Sequence, residues 1–172
     1  LRFHAANPKR RPMVVFTPKS MLRLKAAASS ISDFTSGTFL PVIGDSTVNN
    51  ASRLIFCSGK IYHDLVAERD RLGEHTTAIA RVELLYPLPI AEMQEVAAAH
   101  PNANLLWVQD EPANQGPWSY IAMRTSEAHG GHGFGSRTLR RISRRATASP
   151  ATGNHHLHEE EAKALMYEAF TR

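Results

Sequence analysis

Four polar side chains follow a single apolar run near the middle of the chain. Residues 105–108 are continuously apolar, as in a strand buried inside a parallel sheet, and Asp110, Glu111, Asn114 and Gln115 come shortly after them. Carboxylates could act as general acid and base, but neighbouring residues of an extended segment point in opposite directions. Asp110 and Glu111 therefore cannot form a tight acid–base pair. The four side chains are predicted to cap the turn, to contact another surface or to meet an effector.

Five arginines fall within nine residues, 137–145. Guanidinium groups at this density favour a phosphate-bearing effector, an acidic partner surface or a neighbouring subunit. A solvated edge strand protected by its own charge is the competing interpretation. Elsewhere the charges of this chain, whose net charge is +4, nearly balance, so a nucleic-acid surface is not expected. The candidate interface or effector contacts of this segment are Arg140, Arg141, Arg144 and Arg145.

Other constellations fall short of a recognisable site. Residues 58–60, Ser-Gly-Lys, match only part of a phosphate-binding loop, so a tight turn is predicted there. Cys57, the single cysteine, lies in an apolar run and is predicted to be a buried, inert thiol. Histidines without cysteine partners favour a loop and a helix start over a zinc site; they are His129, His132, His155, His156 and His158. No catalytic, cofactor-binding or metal-binding residue is predicted.

Length and composition bound the class of protein. A chain of 172 residues supports one domain and a fragment of a second, and 42% hydrophobic with 21% charged residues is typical of a soluble globular protein. No apolar run approaches the ~20 residues that span a bilayer, and no signal peptide is recognisable. The lone cysteine suits a reducing cytoplasm. The chain starts without methionine inside a predicted helix end, which suggests a piece of a longer protein.

Hydrophobic periodicity predicts the elements that position these residues. Strands are predicted at 12–16, 53–57, 78–82, 104–109 and 138–143, the last as an edge strand. Helices are predicted at 61–72, 90–99, 117–125 and over the apolar stripe at 162–170, with Glu159, Glu160 and Glu161 in its first turn. Residues 19–34 have a partly helical composition, with a break at Ser29–Ser30. A surface connector is predicted at 35–50, and a mobile glycine-rich loop at 128–135.

Strands separated by helices imply an α/β fold in which a mostly parallel sheet is covered on both faces. Within this pattern, several segments together resemble the C-terminal part of the E1 component of 2-oxoglutarate dehydrogenase, a thiamin diphosphate-dependent family. The most specific of them is Trp-Val-Gln-Asp-Glu-Pro-Ala-Asn-Gln-Gly at 107–116. The segments run in family order over essentially the whole chain, at residues 11–23, 37–44, 57–60, 82–89, 107–116 and 140–150.

The resemblance implies a three-layer transketolase C-terminal-like domain with a sheet of about five strands, one edge strand of which can run antiparallel. It also implies a division of the chain. Residues 1–19 would end the pyrimidine-binding domain, with 14–16 as its last strand; 20–50 would be a connector, and 51–172 the transketolase-like C-terminal domain.

The function implied by the resemblance is that of an auxiliary domain. The parent enzyme decarboxylates 2-oxoglutarate in the tricarboxylic acid cycle, as dehydrogenase or decarboxylase, and passes the succinyl unit to a lipoyl group. Thiamin diphosphate and magnesium are bound by upstream domains, so this part alone is expected to be inactive and to support dimer stability and the active-site entrance. The implied partners are a second E1 subunit, the E2 dihydrolipoyl succinyltransferase, and AMP or acetyl-CoA as effector.

The sequence departs from the resemblance at two places. Acetyl-CoA-responsive, actinobacterial-type members carry arginines where this chain has Ile90-Ala91-Glu92, and the family usually has glutamate in place of Asp110. A hypothesis of a different class is a stand-alone α/β binding module, which would recognise an adenine nucleotide or an acidic partner through Arg137–Arg145.

Overall fold

The computed structural model describes residues 2–9, 11–127 and 133–171. The chain divides into two compact units, residues 1–40 and residues 41–172. The predicted mobile loop at 128–135 falls largely outside the described residues, because 128–132 are not among them.

The first unit contains short helical pieces. They are α1 (Arg2–Ala6), two 3-10 turns (Lys19–Arg23 and Lys25–Ala27) and α2 (Ile31–Thr35). The predicted break at Ser29–Ser30 is confirmed, because residues 28–30 are not helical, and Ser30 is also the N-cap of α2. The Ser30 hydroxyl accepts a bond from the Asp33 amide at 3.3 Å, and the Asp33 carboxylate accepts one from the Ser30 amide at 2.9 Å, which forms a capping box.

The strand predicted at residues 12–16 is wrong for this structure. The segment has no regular secondary structure, and its side chains are exposed, 75% for Val14 and 93% for Phe16. Its apolar, β-branched composition is typical of a buried strand, but a strand also needs backbone partners. No described strand pairs with this segment, so its composition alone was not sufficient to predict a strand.

The second unit is built on a five-stranded sheet. The strands are β1 (Val42–Ile43), β2 (Arg53–Cys57), β3 (Thr77–Val82), β4 (Asn104–Pro112) and β5 (Leu139–Arg144). Their order is β1-β3-β2-β4-β5, and every pairing is parallel except β1 with β3. The predicted fold class is therefore confirmed, and so is the edge position of the strand predicted at 138–143.

The antiparallel edge strand β1 lies within residues that the sequence predicted to be a connector. Its register places Val42 opposite Val82. The Pro41 carbonyl extends this pairing, because it accepts bonds from the amides of Glu83 at 2.8 Å and Leu84 at 3.2 Å. A strand of two residues is too short to show a period of two, which is why the pattern missed it.

Four helices complete the three layers: α3 (Ile61–Leu72), α4 (Ile90–Ala98), α5 (Trp118–Glu127) and α6 (His155–Thr171). One core cluster joins the sheet to α4 and α5 through Met93, Ala97 and Ile121. The other joins the opposite face to α3 and α6 through residues that include Leu65 and Leu165. None of the described helices combines the length and apolarity needed to cross a bilayer.

Two helix starts differ from the prediction. α5 begins at Trp118, one residue after Pro117, which is within the usual uncertainty of helix ends. α6 begins at His155, so the three glutamates lie in its second turn and not in its first. The Asn154 side chain caps this helix, because its oxygen accepts bonds from the amides of His156 at 2.9 Å and Leu157 at 3.3 Å.

A buried ion pair fixes the turn that follows β1. The Asp45 carboxylate pairs with the Arg69 guanidinium of α3, and the two side chains are only 7% and 10% exposed. The same carboxylate accepts a bond from the Ile79 amide of β3 at 3.0 Å and two from Thr47. Burial alone would raise the pKa of Asp45, but the hydrogen bonds from Thr47, Ile79 and Arg69 outweigh it and lower that pKa.

Candidate functional site

Several of the predicted site residues, among them Asp110, Glu111 and Arg144, lie at the carboxyl ends of β4 and β5. In open α/β sheets this is the edge where ligands and partners usually bind. β4 and β5 pair regularly up to Val108 and Ile142, and the register then shifts before Pro112 meets Arg144. This bulge lies between the last regular pair and Pro112, so it re-aims Asp110 and Glu111 away from the ladder.

Gln109, which was not among the predicted site residues, organises the loop that follows the bulge. The residue is 2% exposed, and its Oε1 accepts bonds from the Trp107 indole at 3.0 Å and the Trp118 amide at 3.2 Å. Its amide group donates to the carbonyls of Gln115 at 2.7 Å, Pro112 at 3.2 Å and Glu111 at 3.3 Å. One buried side chain therefore ties strand, loop and helix start together, which is the capping role predicted for Asp110 or Glu111.

Gly116 closes the same loop in a conformation that other residues adopt only with strain. Its φ is +68°, and a Cβ at this position would lie 2.9 Å from the Glu111 Cβ and 3.0 Å from the Gln109 Nε2. Both neighbours belong to the loop that Gln109 holds in place. Only glycine fits without displacing them.

We therefore expect Gly116→Ala to lower the free energy of unfolding by at least about 2 kcal/mol, from left-handed backbone strain plus the steric clash. Urea denaturation followed by circular dichroism measures the change. Gly59→Ala is the matched control: φ there is +74°, but nothing lies within 4 Å of the added carbon. Its cost should be that of the backbone strain alone, and equal losses in the two variants would contradict the clash.

Asn114 and Gln115 attach a second loop to this edge. The Asn114 side chain donates to the Thr147 carbonyl at 2.9 Å and accepts from the Thr147 amide at 3.1 Å, as a neighbouring strand would. Gln115 donates to the carbonyls of Thr147 at 3.3 Å and Ser149 at 3.4 Å. The predicted site residues thus hold residues 147–149 in one position.

Arg144 joins three elements. Its side chain is 8% exposed, and its Nη2 donates to the Asp110 carboxylate at 2.8 Å and to Nδ1 of His158 at 2.9 Å. Because a guanidinium carries only donors, His158 Nδ1 must be the acceptor. Glu161 of α6 lies 3.7 Å from Nη1. This guanidinium therefore links β4, β5 and the start of α6.

The remaining arginines of the cluster have separate environments. Arg137 donates to the carbonyls of Ala97 at 3.0 Å and His100 at 2.8 Å, where it satisfies the C-terminal end of α4. Arg141 lies over the Trp118 ring at 5.7 Å and donates to the Ala113 carbonyl at 3.4 Å. Among the described residues, Arg140 and Arg145 form no ion pair, and both are exposed. The structure therefore does not gather the five arginines into one site.

Other sequence predictions have plain structural outcomes. Cys57 is fully buried, and burial raises the pKa of its thiol, as expected of an inert thiol. Residues 58–60 form the predicted tight turn, where Lys60 pairs with Asp64. Within the described ranges, no three His, Cys, Asp or Glu side chains are grouped as metal ligands would be. Glu111 is exposed at the loop surface.

Comparison with known proteins identifies this domain. The family model described as 2-oxoglutarate dehydrogenase C-terminal matches residues 28–170. The chain is 45% identical over 99% of its length to the 2-oxoglutarate dehydrogenase E1/E2 component of Corynebacterium glutamicum. It is 41% identical to the multifunctional 2-oxoglutarate metabolism enzyme of Mycobacterium sp. strain JLS and 39% identical to the 2-oxoglutarate dehydrogenase E1 component of Azotobacter vinelandii, again over 99% of this chain.

The chain spans only 14% of the first two of these relatives and 18% of the third. A five-stranded, mostly parallel sheet with one antiparallel edge strand agrees with a transketolase C-terminal-like domain. The comparisons give no support to a stand-alone binding module. The chain belongs to the 2-oxoglutarate dehydrogenase E1 family, in which it corresponds to the C-terminal domain.

Proposed function

We propose that this domain serves an enzyme that decarboxylates 2-oxoglutarate and passes the succinyl unit to a lipoyl group in the tricarboxylic acid cycle, as dehydrogenase or decarboxylase. Its part is to stabilise the E1 homodimer and to shape the active-site entrance. The observation that carries the proposal is identity of 45% over 99% of the chain to a 2-oxoglutarate dehydrogenase component.

The structure supports a scaffolding role at the carboxyl edge of the sheet. The polar side chains there are used to fix loops: Gln109 and Asn114 hold backbone, and Arg144 joins three elements. Rigid loops present a defined surface, which lowers the entropic cost of binding another subunit. The candidate contacts are Asp110, Glu111, Asn114, Gln115, Arg140, Arg141, Arg144 and Arg145.

The proposal includes a division of labour along the longer protein. Residues 1–19 would complete the pyrimidine-binding domain, and residues 51–172 would form the transketolase-like C-terminal domain. Residues 20–50 would connect these two domains. Thiamin diphosphate and magnesium would be held elsewhere in the enzyme. No step of the reaction is therefore assigned to the side chains of this domain.

Partners follow from the same proposal. A second E1 subunit would contact the carboxyl edge, and the E2 dihydrolipoyl succinyltransferase would receive the succinyl unit. AMP or acetyl-CoA would act as effector, with no role for nucleic acid or a membrane. The enzyme would work in the cytoplasm.

The test compares the enzyme expressed from the longer reading frame with a version that lacks residues 40–172. We expect the truncated enzyme to lose both its dimeric mass in light scattering and its turnover of 2-oxoglutarate. Adding the purified 172-residue chain should restore part of both, because the missing surface is supplied again. A truncated enzyme that stays dimeric with unchanged turnover would overturn the proposed role.

A matched pair of added chains tests which surface is used. Glu111→Arg reverses an exposed charge at the carboxyl edge, whereas Glu95→Arg reverses an exposed charge on α4. We expect the Glu111 variant to restore the dimer poorly and the Glu95 variant to restore it like the unmodified chain. Equal restoration by both variants would place the contact elsewhere.

A further inference from the structure

A buried histidine near the amino ends of β2 and β4 accepts a hydrogen bond from the backbone. His100 follows α4 and is 5% exposed. Its Nδ1 lies 3.2 Å from the backbone nitrogen of Ala51. Because a backbone N–H can only donate, Nδ1 must be the acceptor. The ring is therefore neutral in this arrangement, with its hydrogen on Nε2, and the lone pair of Nδ1 is committed to Ala51.

Ala51 lies in the loop that leads into β2. Asn50, whose φ is +51°, turns the chain immediately before it. Ala51 is 2% exposed, so water cannot replace a lost acceptor while the loop stays in place. The next residue joins the amino ends of the neighbouring strands, because the Ser52 amide donates to the Thr76 carbonyl and the Ser52 carbonyl accepts from the Asn104 amide, both at 2.9 Å. The imidazole thus fixes the entry to the central strand of the sheet.

The charge next to His100 is positive. The Arg137 guanidinium donates to the His100 carbonyl at 2.8 Å. Residues 48–52 and 101–103, which flank the ring in the fold and in the sequence, contain no ionisable side chain. On α4, the acidic residue nearest in sequence is Glu95, and it is exposed. Protonation of the ring would therefore add a second positive charge beside that of Arg137.

We propose that His100 is a pH-sensitive switch that holds the loop at residues 48–52. A proton and the Ala51 amide compete for the same lone pair, so the ring binds the loop only while it is neutral. In the unfolded chain the ring takes up a proton freely. A fall in pH through the range in which imidazoles titrate therefore favours the opened loop, and stability falls because the unfolded state binds more protons. The switch is a property of this domain's fold and does not rest on the proposed function.

Urea denaturation of the 172-residue chain at about pH 7.5 and about pH 5.5, at constant ionic strength, tests the switch. We expect the equilibrium constant for unfolding to rise about 5-fold or more between these two conditions, because a buried donor loses its acceptor. In His100→Asn that rise should be absent, since the side-chain oxygen of asparagine takes the place of Nδ1 without binding a proton.

His156→Asn is the matched control for this experiment. His156 is exposed, and its hydrogen bond to Asn154 is made by its backbone amide. This variant should keep the full rise in the unfolding constant. If the rise is equal in the His100→Asn and His156→Asn proteins, the proposal is overturned.

NMR of the unmodified chain provides a measurement that does not depend on the folding of a variant. Nitrogen-15 spectra of the imidazole rings should show His100 with its hydrogen on Nε2 at about pH 7.5. As the pH falls, the Ala51 amide should lose protection from hydrogen exchange, after correction for the pH dependence of the intrinsic exchange rate. A hydrogen on Nδ1 at the higher pH, or an Ala51 amide that stays equally protected at the lower pH, contradicts the switch.

Discussion

Replacing Gln109 by alanine is expected to lower the free energy of unfolding by about 2–4 kcal/mol. The side chain is 2% exposed, and its loss leaves the Trp107 indole and the Trp118 amide without their acceptor. Each unsatisfied buried donor costs about 1–3 kcal/mol. The only two tryptophans of the chain are these two partners, so urea unfolding followed by tryptophan fluorescence reports directly on the site.

Two companions make the Gln109 result interpretable. Gln109→Glu keeps an acceptor for the two tryptophans but places a carboxylate oxygen against three carbonyls, so it should also destabilise. Gln115→Ala removes an amide from the same loop whose bonds, at 3.3 and 3.4 Å, are made near the surface, and should cost less than about 1 kcal/mol. A Gln109→Ala protein as stable as the Gln115→Ala protein would show that Gln109 does not organise the loop.

The Asp45→Asn substitution is expected to cost about 3–5 kcal/mol at pH 7, because it removes the only buried counter-charge of the Arg69 guanidinium among the described residues and leaves the exposed Asp70, 3.7 Å from its Nε. The pH dependence follows from the lowered pKa of Asp45. A carboxyl whose folded-state pKa is depressed contributes stability above its ordinary pKa, near 3.8, and that contribution is lost as pH falls through the lower value. Urea denaturation between pH 7 and acid conditions should therefore show a loss below about pH 4 in the unmodified protein.

The Asp45→Asn variant should lack that part of the acid dependence. Asp64→Asn is the control, since the Lys60–Asp64 pair is 42% and 45% exposed and should contribute less than about 1 kcal/mol. If the two variants lose equal stability at pH 7, the buried pair is not the stronger one.

Much of the sheet could be predicted because its inner strands carry strong patterns. The strand at 53–57 and the helix at 61–72 were predicted with the bounds that the structure has. Their apolar residues follow the periods of a buried strand and of an amphipathic helix. Two predictions failed, for opposite reasons. Residues 12–16 have the composition of a strand but no pairing partner among the described residues. The strand β1 has a pairing partner but too few residues to show a pattern.

The sequence indicated where several of the candidate contacts lie but not what holds them in place, and their role as contacts stays a prediction. Asp110, Asn114, Gln115 and Arg144 do meet at one edge, as the end of a buried strand suggested. Gln109 was missed because a glutamine at the end of an apolar run carries no periodic signal. Its interior position inside the strand, where a polar side chain must find partners, was the available clue.

The direction of β1 determines at which end of the sheet the chain enters the second unit. Because β1 runs antiparallel to β3, the chain enters the sheet unit at the carboxyl edge, where the Pro41 carbonyl is bonded to the backbone of Glu83 and Leu84. A pull on the entering polypeptide would act first on the loop after β3, without crossing the rigid sheet. That loop lies at the same end of the strands as Asp110 and Arg144, although β2 separates β3 from their strands, β4 and β5.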